Sequence, residues 1–448
     1  MGHSRTEALV LQDLGDGLIL RRATEADTEA LVAFNKEIHQ SPDEPELPER
    51  VAVWTRDLMS GEHPIFGVSD FTVVEDTNAG AIVSSLCLIS QKWSYDGVEF
   101  GVGRVELVGT HPDYRNRGLI RAQFDVLHQW SAERGEKMQA ITGIPYFYRQ
   151  FGYEMGLALG GGRLGYTPNV PRLEEGEEEP YCVRRAEETD LSFIGQMYEQ
   201  AVERYLLTCV RDETLLQYEL SGKSEKNLNQ QCLRIIETAE SEPVGFLTHS
   251  NGLYHQTAAC FFYELKPGVS WLAVTPSVVR YLWAMGEEHA KREEKDLGAF
   301  AFWLGTEHPV YQVMDDQLPR TREPYAWYVR IPDLVDFLQH IAPVLERRLA
   351  QSVLVGYTGE LKISFYRSGL RLEFEKGCLK MIEAWQPRPG EGGTAAFPNL
   401  TFLQLLLGYR TCDELHYAFP DCWTANDEAH TLLEVLFPKQ PSLVWGVS

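Results

Sequence analysis

RVELVGTHPDYRNRGLIRAQFDVLHQWSAERGEKMQAITGIPYFYRQFGY, residues 104–153, is the stretch from which the rest of the chain is read. Val105, Leu107 and Val108 open it as a short apolar run interrupted only by Glu106, the pattern of a strand buried on both faces. A basic loop follows, with Arg115, Asn116 and Arg117 before Gly118, and Arg121 three residues further on. Ile120, Phe124 and Leu127 then recur at helical spacing, so the loop feeds a helix beginning near Leu119. A helix start offers unpaired N–H groups and a partial positive charge, and a glycine lets an anion approach the backbone closely. Three arginines around such a turn complete an anion cradle, and an aromatic turn, Phe147-Tyr148-Arg149-Gln150-Phe151-Gly152-Tyr153, follows the helix and next strand.

The segment HPDYRNRGLIRA resembles the Arg-x-x-Gly-x-Gly/Ala signature of the GNAT acyltransferases, departing from it at Ile120, which takes the last Gly/Ala position. The resemblance implies that Arg115, Asn116, Arg117, Gly118, Leu119, Ile120 and Arg121 hold the pyrophosphate of acetyl-CoA. It also implies that the pantetheine arm pairs like an added strand with Val108, Gly109 and Thr110, while Gly143 and Ile144 flank the acyl-bearing end. Tyr148 matches the family's general acid. Expelling a thiolate whose conjugate acid has a pKa of roughly 8.5 calls for a proton donor, and a phenol near 10 can serve.

Composition sets the outer bounds. A length of 448 residues suggests about three domains. No run of about 18 apolar residues occurs, since Arg280 interrupts the longest candidate, so no membrane span is expected. The opening MGHSRTEALV lacks an apolar signal region, and a cytoplasmic protein is expected. Eight cysteines are scattered singly without a C-x-x-C pair, and the twelve histidines form no H-E-x-x-H, so neither a disulfide scaffold nor a metal is indicated. The net charge of -24 argues against nucleic-acid binding by the chain as a whole and suits a cationic acceptor, although solubility alone would explain it equally well.

Before the opening stretch, residues 18–22 read as a strand, 23–37 as a helix, 51–59 as a second helix, and two strands meet at the turn Thr77-Asn78-Ala79-Gly80. Residues 166–180, rich in proline and glutamate, read as a linker. The beginning then repeats: Val183-Arg184-Arg185-Ala186-Glu187-Glu188-Thr189-Asp190 echoes Leu20-Arg21-Arg22-Ala23-Thr24-Glu25-Ala26-Asp27 at an offset of 163 residues. WLAVTPSVVRYLW, residues 271–283, takes the place of the strand and phosphate loop, and His308 to Gln312 that of the tyrosine turn, but no Arg-x-x-Gly accompanies them. From residue 331 an amphipathic helix over 332–349, several alternating strands and two closing helical segments resemble the sterol-carrier-protein fold.

The expected fold is therefore α/β (α+β), with tandem GNAT acyltransferase domains built on mixed central sheets and a C-terminal sterol-carrier-protein-like domain. Residues 1–165 form the catalytic domain, 166–180 an acidic linker, 181–330 a degenerate GNAT-like domain and 331–448 the last domain. This arrangement resembles the Eis-like (enhanced intracellular survival) acetyltransferases. It implies direct transfer of acetyl from acetyl-CoA to a primary amine of a small cationic acceptor of aminoglycoside, polyamine or lysine type, in a homo-oligomer that reaches hexamers in the family. The acceptor must lose a proton before it attacks, because an alkylammonium has a pKa near 10.4 and only the neutral amine is nucleophilic. Two bases compete: the terminal carboxylate of Ser448, by resemblance, and Glu106, whose structural role would be a salt bridge to a neighbouring arginine. An alternative function is an acyl-CoA-sensing carrier or regulator that binds an apolar ligand in the last domain.

Overall fold

The computed structural model describes residues 10–41, 46–388, 390–398 and 400–444. It opens with β1 (Val10–Gly15) and β2 (Leu18–Arg22), then helices α1 (Thr28–Ile38) and α2 (Leu47–Met59). Next come β3 (Phe71–Asp76), β4 (Ala81–Tyr95), β5 (Val98–Thr110), α3 (Leu119–Glu133), β6 (Met138–Ile141) and β7 (Glu154–Leu159). α1 starts later than the sequence suggests because Asp27 accepts the Thr24 N–H and hydroxyl and the Arg21 guanidinium, closing a 3-10 turn ahead of the helix. Side chains sort by face: Phe124, Leu127 and Trp130 of α3 pack on Leu86, Leu88 and Val105, while Leu31, Trp54 and Leu58 of α1 and α2 cover Val73, Cys87, Ile89 and Leu107. Val105 and Leu107 face opposite sides although two residues apart. A bulge does this, with Leu107 at φ 51° and the register slipping between Cys87↔Glu106 and Ser85↔Gly109.

The chain continues through β8 (Gly162–Gly165), β9 (Tyr181–Arg185), α4 (Leu191–Val202), β10 (Leu207–Cys209), α5 (Glu213–Gln217), β11 (Gln231–Thr238), β12 (Pro243–Ser250) and β13 (Thr257–Leu265). α6 (Trp271–Glu293), β14 (Ala299–Phe302), α7 (Val310–Val313), β15 (Arg320–Arg322) and β16 (Tyr325–Arg330) complete this part. The sequence echo has a counterpart in space. Arg21 binds Asp27 and Glu75, and Arg184 binds Asp190 and Glu237 with the same guanidinium nitrogens. Residues 271–283, expected to include a strand and loop, are instead the start of the continuous helix α6, because the Ser270 side chain caps it by accepting the Ala273 N–H. The preceding strand is β13.

Sheet membership does not follow the expected domain boundaries. The first sheet runs β1-β2-β3-β4-β5-β6-β16-β7, with β10 added beside β4; the second runs β15-β8-β14-β13-β12-β11-β9. Thus β16, expected with the second unit, lies between β6 and β7 of the first, and β8, expected with the first, joins the second. Ala326, Trp327, Tyr328 and Val329 are all buried there, as a strand inside a sheet covered on both faces requires.

The last part holds α8 (Leu334–His340), α9 (Ala342–Ala350), β17 (Gly359–Ser364), β18 (Gly369–Glu375), β19 (Cys378–Trp385), β20 (Ala395–Ala396), α10 (Phe402–Leu406), α11 (Cys412–Ala418), β21 (Trp423–Thr424) and α12 (Asp427–Leu436). The single helix expected over 332–349 is broken at Ile341, because Pro343 has no N–H to continue the ladder back to Gln339 O and sits instead in the first turn of a new helix, where that donor is not needed. The third sheet, β19-β18-β17-β20-β21, packs its apolar face into one cluster with Trp93, Leu157 and Trp327 of the first sheet. The tail then returns beside β10, where Leu206 N–H donates to Pro441 O and Leu443 N–H to Leu207 O, both at 2.8 Å.

Candidate functional site

The site grows from a divergence of two parallel strands. β5 and β6 pair at Val102↔Met138, Gly103↔Gln139 and Arg104↔Ala140, and there the pairing stops. Beyond it, Glu106, Val108, Gly109 and Thr110 keep β4 on one side, while Gly143 and Ile144 lead away on the other. The edge so opened presents main-chain groups to an extended ligand, as β-augmentation requires. Val108, Gly109 and Thr110 lie on one side of this opening and Gly143 and Ile144 on the other, and Ile144 is 66% exposed.

At the head of this opening stands the basic loop. Tyr114 anchors it by donating its hydroxyl to Asp76 at 2.7 Å, and Arg115 Nε donates to Thr110 O at 3.5 Å. Asn116 and Gly118 take left-handed backbone at φ 61° and 77°, and the first bond of the helix is donated by Ala122 N–H to Gly118 O at 3.1 Å. The amides of Leu119, Ile120 and Arg121 are therefore left to an outside acceptor. No atom lies within 4 Å of the point where a Cβ on Gly118 would stand, so an anion can reach the backbone. Arg115, Arg117 and Arg121 are exposed around it; Arg117 contacts Asp16 at 3.4 Å and Arg121 donates to Gln150 Oε1 at 3.1 Å. That last bond, with Phe124 stacked on Phe151 at 4.4 Å, joins the loop to the tyrosine turn.

Tyr148 is 4% exposed, its ring beside Phe124, Tyr153 and Tyr328 and its hydroxyl against Gly143, where a side chain of any size would collide with it. Among the described residues the hydroxyl has no hydrogen-bond partner. Burial first, and then the charge of Glu106, push its pKa well above that of a free phenol, so it is held protonated across the neutral range. Glu106 is also buried and pairs with Arg104, whose guanidinium lies 3.8 Å over the Trp327 ring. Burial raises the Glu106 carboxyl and Arg104 opposes the rise. Neither Arg104 nor Trp327 and Tyr328 of β16 stood out in the sequence, because their partners are set by strand order alone. Ser448 lies outside the described residues. Phe34 and Trp54 are buried, and among the described residues no three His, Cys, Asp or Glu side chains converge as metal ligands would.

The second sheet repeats the outline with its tyrosine hydroxyl engaged. Tyr311 stands 163 residues after Tyr148, but its hydroxyl lies 2.9 and 3.2 Å from the carbonyls of Phe302 and Gly305 and accepts the Leu304 N–H at 3.2 Å. At the ends of β13 and β14, Phe261, Phe262, Trp303, Leu304 and Gly305 line a larger cavity, and Trp271 packs against Tyr263 and His308 at 4.7 and 5.2 Å, where about 10 Å³ remains beside those last two side chains. That is barely room for one water.

Residues 20–156 match the model of the Acetyltransferase (GNAT) domain. The chain carries a GNAT acetyltransferase domain. The whole chain shares its fold with solved structures. A probable N-acyltransferase of Enterococcus faecalis V583 aligns at TM-score 0.63 and 14% identity over 96% of this chain and 100% of its own. A GCN5-related N-acetyltransferase from Kribbella flavida aligns at 0.61 and 15% over 96% and 98%, and Eis1 from Mycobacterium abscessus at 0.59 and 12% over 96% and 100%. Curated proteins give no match. The acyltransferase enzyme and the mixed α/β fold expected from the sequence are borne out, and the GNAT domain contains both the loop and Tyr148. Among the described residues no helix is long and apolar enough to cross a membrane.

A larger cavity, about 1140 Å³, lies elsewhere, between the start of α2, the end of β7, the second sheet and tail residues 441–444. Neither Tyr148 nor the loop lines it, since the loop is an open surface groove. Leu159, which does line it, packs into the same cluster as Trp327, so the cavity adjoins the sheet face that carries the Arg104–Glu106 pair.

Proposed function

We propose that the protein is an acetyl-CoA-dependent N-acetyltransferase that moves acetyl directly to a primary amine of a cationic acceptor of aminoglycoside, polyamine or lysine type. One contrast carries the reading: Tyr148 offers an unpartnered hydroxyl at an open strand divergence, whereas the hydroxyl of its counterpart Tyr311 is taken up by main-chain groups of its own unit. The loop around Gly118 has the amides, the guanidinium groups and the clearance a diphosphate needs. Acetyl-CoA bound there would run its pantetheine along Val108, Gly109 and Thr110 and bring its thioester toward Gly143 and Tyr148. The amine attacks the thioester carbonyl, the C–S bond breaks, and the thiolate takes a proton from Tyr148. The second GNAT-like unit then serves as scaffold, and the last domain, read as sterol-carrier-like, closes the core.

The attacking amine needs a base. Glu106 sits on β5 but is engaged with Arg104. The Ser448 carboxylate is the other candidate, by the family resemblance, and lies outside the described residues. The large cavity is the candidate entry for the acceptor: Glu294, Asp296 and Glu307 line it, together with Arg50, Arg322 and a Lys295 that pairs with Glu46.

Tyr148→Phe is expected to lower kcat tenfold or more, on the order of what general acid–base catalysis contributes, with acetyl-CoA affinity retained. Thiol release from acetyl-CoA with a panel of amines measures it, and unchanged turnover removes Tyr148 from the mechanism. Deletion of Ser448 and Glu106→Gln, each followed by a pH–rate profile, decide the base. Tight acyl-CoA binding without turnover would favour the carrier reading.

A further inference from the structure

The turn that bears Tyr148 is gripped by a strand arriving from the far side of the second sheet. Tyr146, in the same turn, has φ 70°, an uncommon and strained backbone for an aromatic residue. Its N–H donates to the Tyr328 hydroxyl at 2.6 Å, and the Tyr328 ring lies 5.9 Å from that of Tyr148. On the same strand, the Tyr325 hydroxyl donates to the carbonyl of Gly143, the residue against which the Tyr148 phenol rests. Two phenols of β16 thus hold the two flanks of the segment that places the Tyr148 hydroxyl.

We propose that Tyr328 is a positioning residue for acyl transfer, accepting the Tyr146 N–H so that the strained turn keeps the Tyr148 hydroxyl aimed into the divergence of β5 and β6. The inference rests on the reading of Tyr148 as proton donor. Tyr328 has no part in binding the cosubstrate, because the loop around Gly118 is built on β5 and α3 and does not touch β16. Its effect belongs to proton transfer alone, where small displacements are costly: a misplacement of about 1 Å can cost on the order of 100-fold in rate. The arrangement also gives the second unit a role in the first unit's chemistry, since β16 is held in register by β6 and β7 at one end of a chain segment whose other end is β15 of the second sheet.

The test is steady-state thiol release from acetyl-CoA by the full-length protein, with kanamycin, spermidine and a lysine peptide as acceptors. Tyr328→Phe is expected to lower kcat by roughly 10- to 100-fold without raising the KM for acetyl-CoA. Because Tyr328 acts through Tyr148, the double variant Tyr148→Phe/Tyr328→Phe is expected to be no slower than Tyr148→Phe alone, a non-additivity that a general loss of structure would not produce. Tyr325→Phe, at an exposed position that can lose its hydroxyl without disturbing the core, is expected to show the same non-additivity. Wild-type kcat in Tyr328→Phe alongside a slow Tyr148→Phe overturns this inference alone, as do losses that multiply in the double variant. An unimpaired Tyr148→Phe overturns both this inference and the reading beneath it.

Discussion

Tyr148 and Glu106 share one buried locale yet have opposite needs. The phenol is uncharged and tolerates burial. The carboxylate is tolerated there only because Arg104 faces it, with the guanidinium in turn spread over Trp327. Removing one member of such a pair leaves the other as an uncompensated buried charge, which costs about 3–5 kcal/mol. Glu106→Gln is therefore expected to lower the unfolding free energy by about that much, while Tyr148→Phe, which breaks no hydrogen bond, leaves it nearly unchanged; chemical denaturation compares them. Equal stability of Glu106→Gln and the parent would mean that the pair is not a structural anchor and would return Glu106 to the list of bases. Both residues were singled out from the sequence, and the fold brings them near each other. The salt bridge of Glu106 to a neighbouring arginine was one of the two roles read for it; what could not be read was how that arginine is held, since the bulge at Leu107 and the Trp327 ring beneath Arg104 arise only in the folded sheet.

At the level of elements, α3 joins the two halves of the chemistry, beginning at Gly118 in the loop and packing Phe124 beneath the tyrosine turn. His128 makes a second tie one turn further along, bonded to the Tyr153 hydroxyl at 3.0 Å. Burial, and then the charge of Arg330, push its pKa down to about 4. A histidine whose folded pKa lies below its unfolded value of about 6.5 contributes stability that is present above pH 6.5 and lost as the pH falls through 4. Between those limits the parent's stability is expected to fall more steeply than that of His128→Gln, by up to roughly 1.4 kcal/mol per pH unit. Parallel stability curves for the two proteins would show that the helix is not tied down through this imidazole. The loop and helix were readable because glycine, arginine and a 3.6-residue period are local signals. The later onset of α1 and the unbroken α6 were missed because each start is fixed by a cap, Asp27 in one case and Ser270 in the other, that outweighed the apolar pattern.

Across the whole molecule, repetition was visible and exchange was not. The matched clusters of Arg21 with Asp27 and Glu75, and of Arg184 with Asp190 and Glu237, lie at nearly constant spacing in the chain and could be seen in it. The insertion of β16 between β6 and β7 could not, because a short strand buried on both faces carries no mark of which distant strands it will join. One consequence is functional: the open strand divergence of the first unit is framed by residues from both units, while in the second unit Tyr311 is bound to its own main chain and α6 begins without a basic loop. The arrangement calls for a single cosubstrate site. A crystal structure of the protein with coenzyme A tests this most directly. It should show the diphosphate hydrogen-bonded to main-chain amides at Leu119, Ile120 and Arg121, the pantetheine along Val108 to Thr110 and the sulfur beside the Tyr148 hydroxyl. Coenzyme A lodged instead in the 1140 Å³ cavity between the units, with the loop at Gly118 empty, would contradict it.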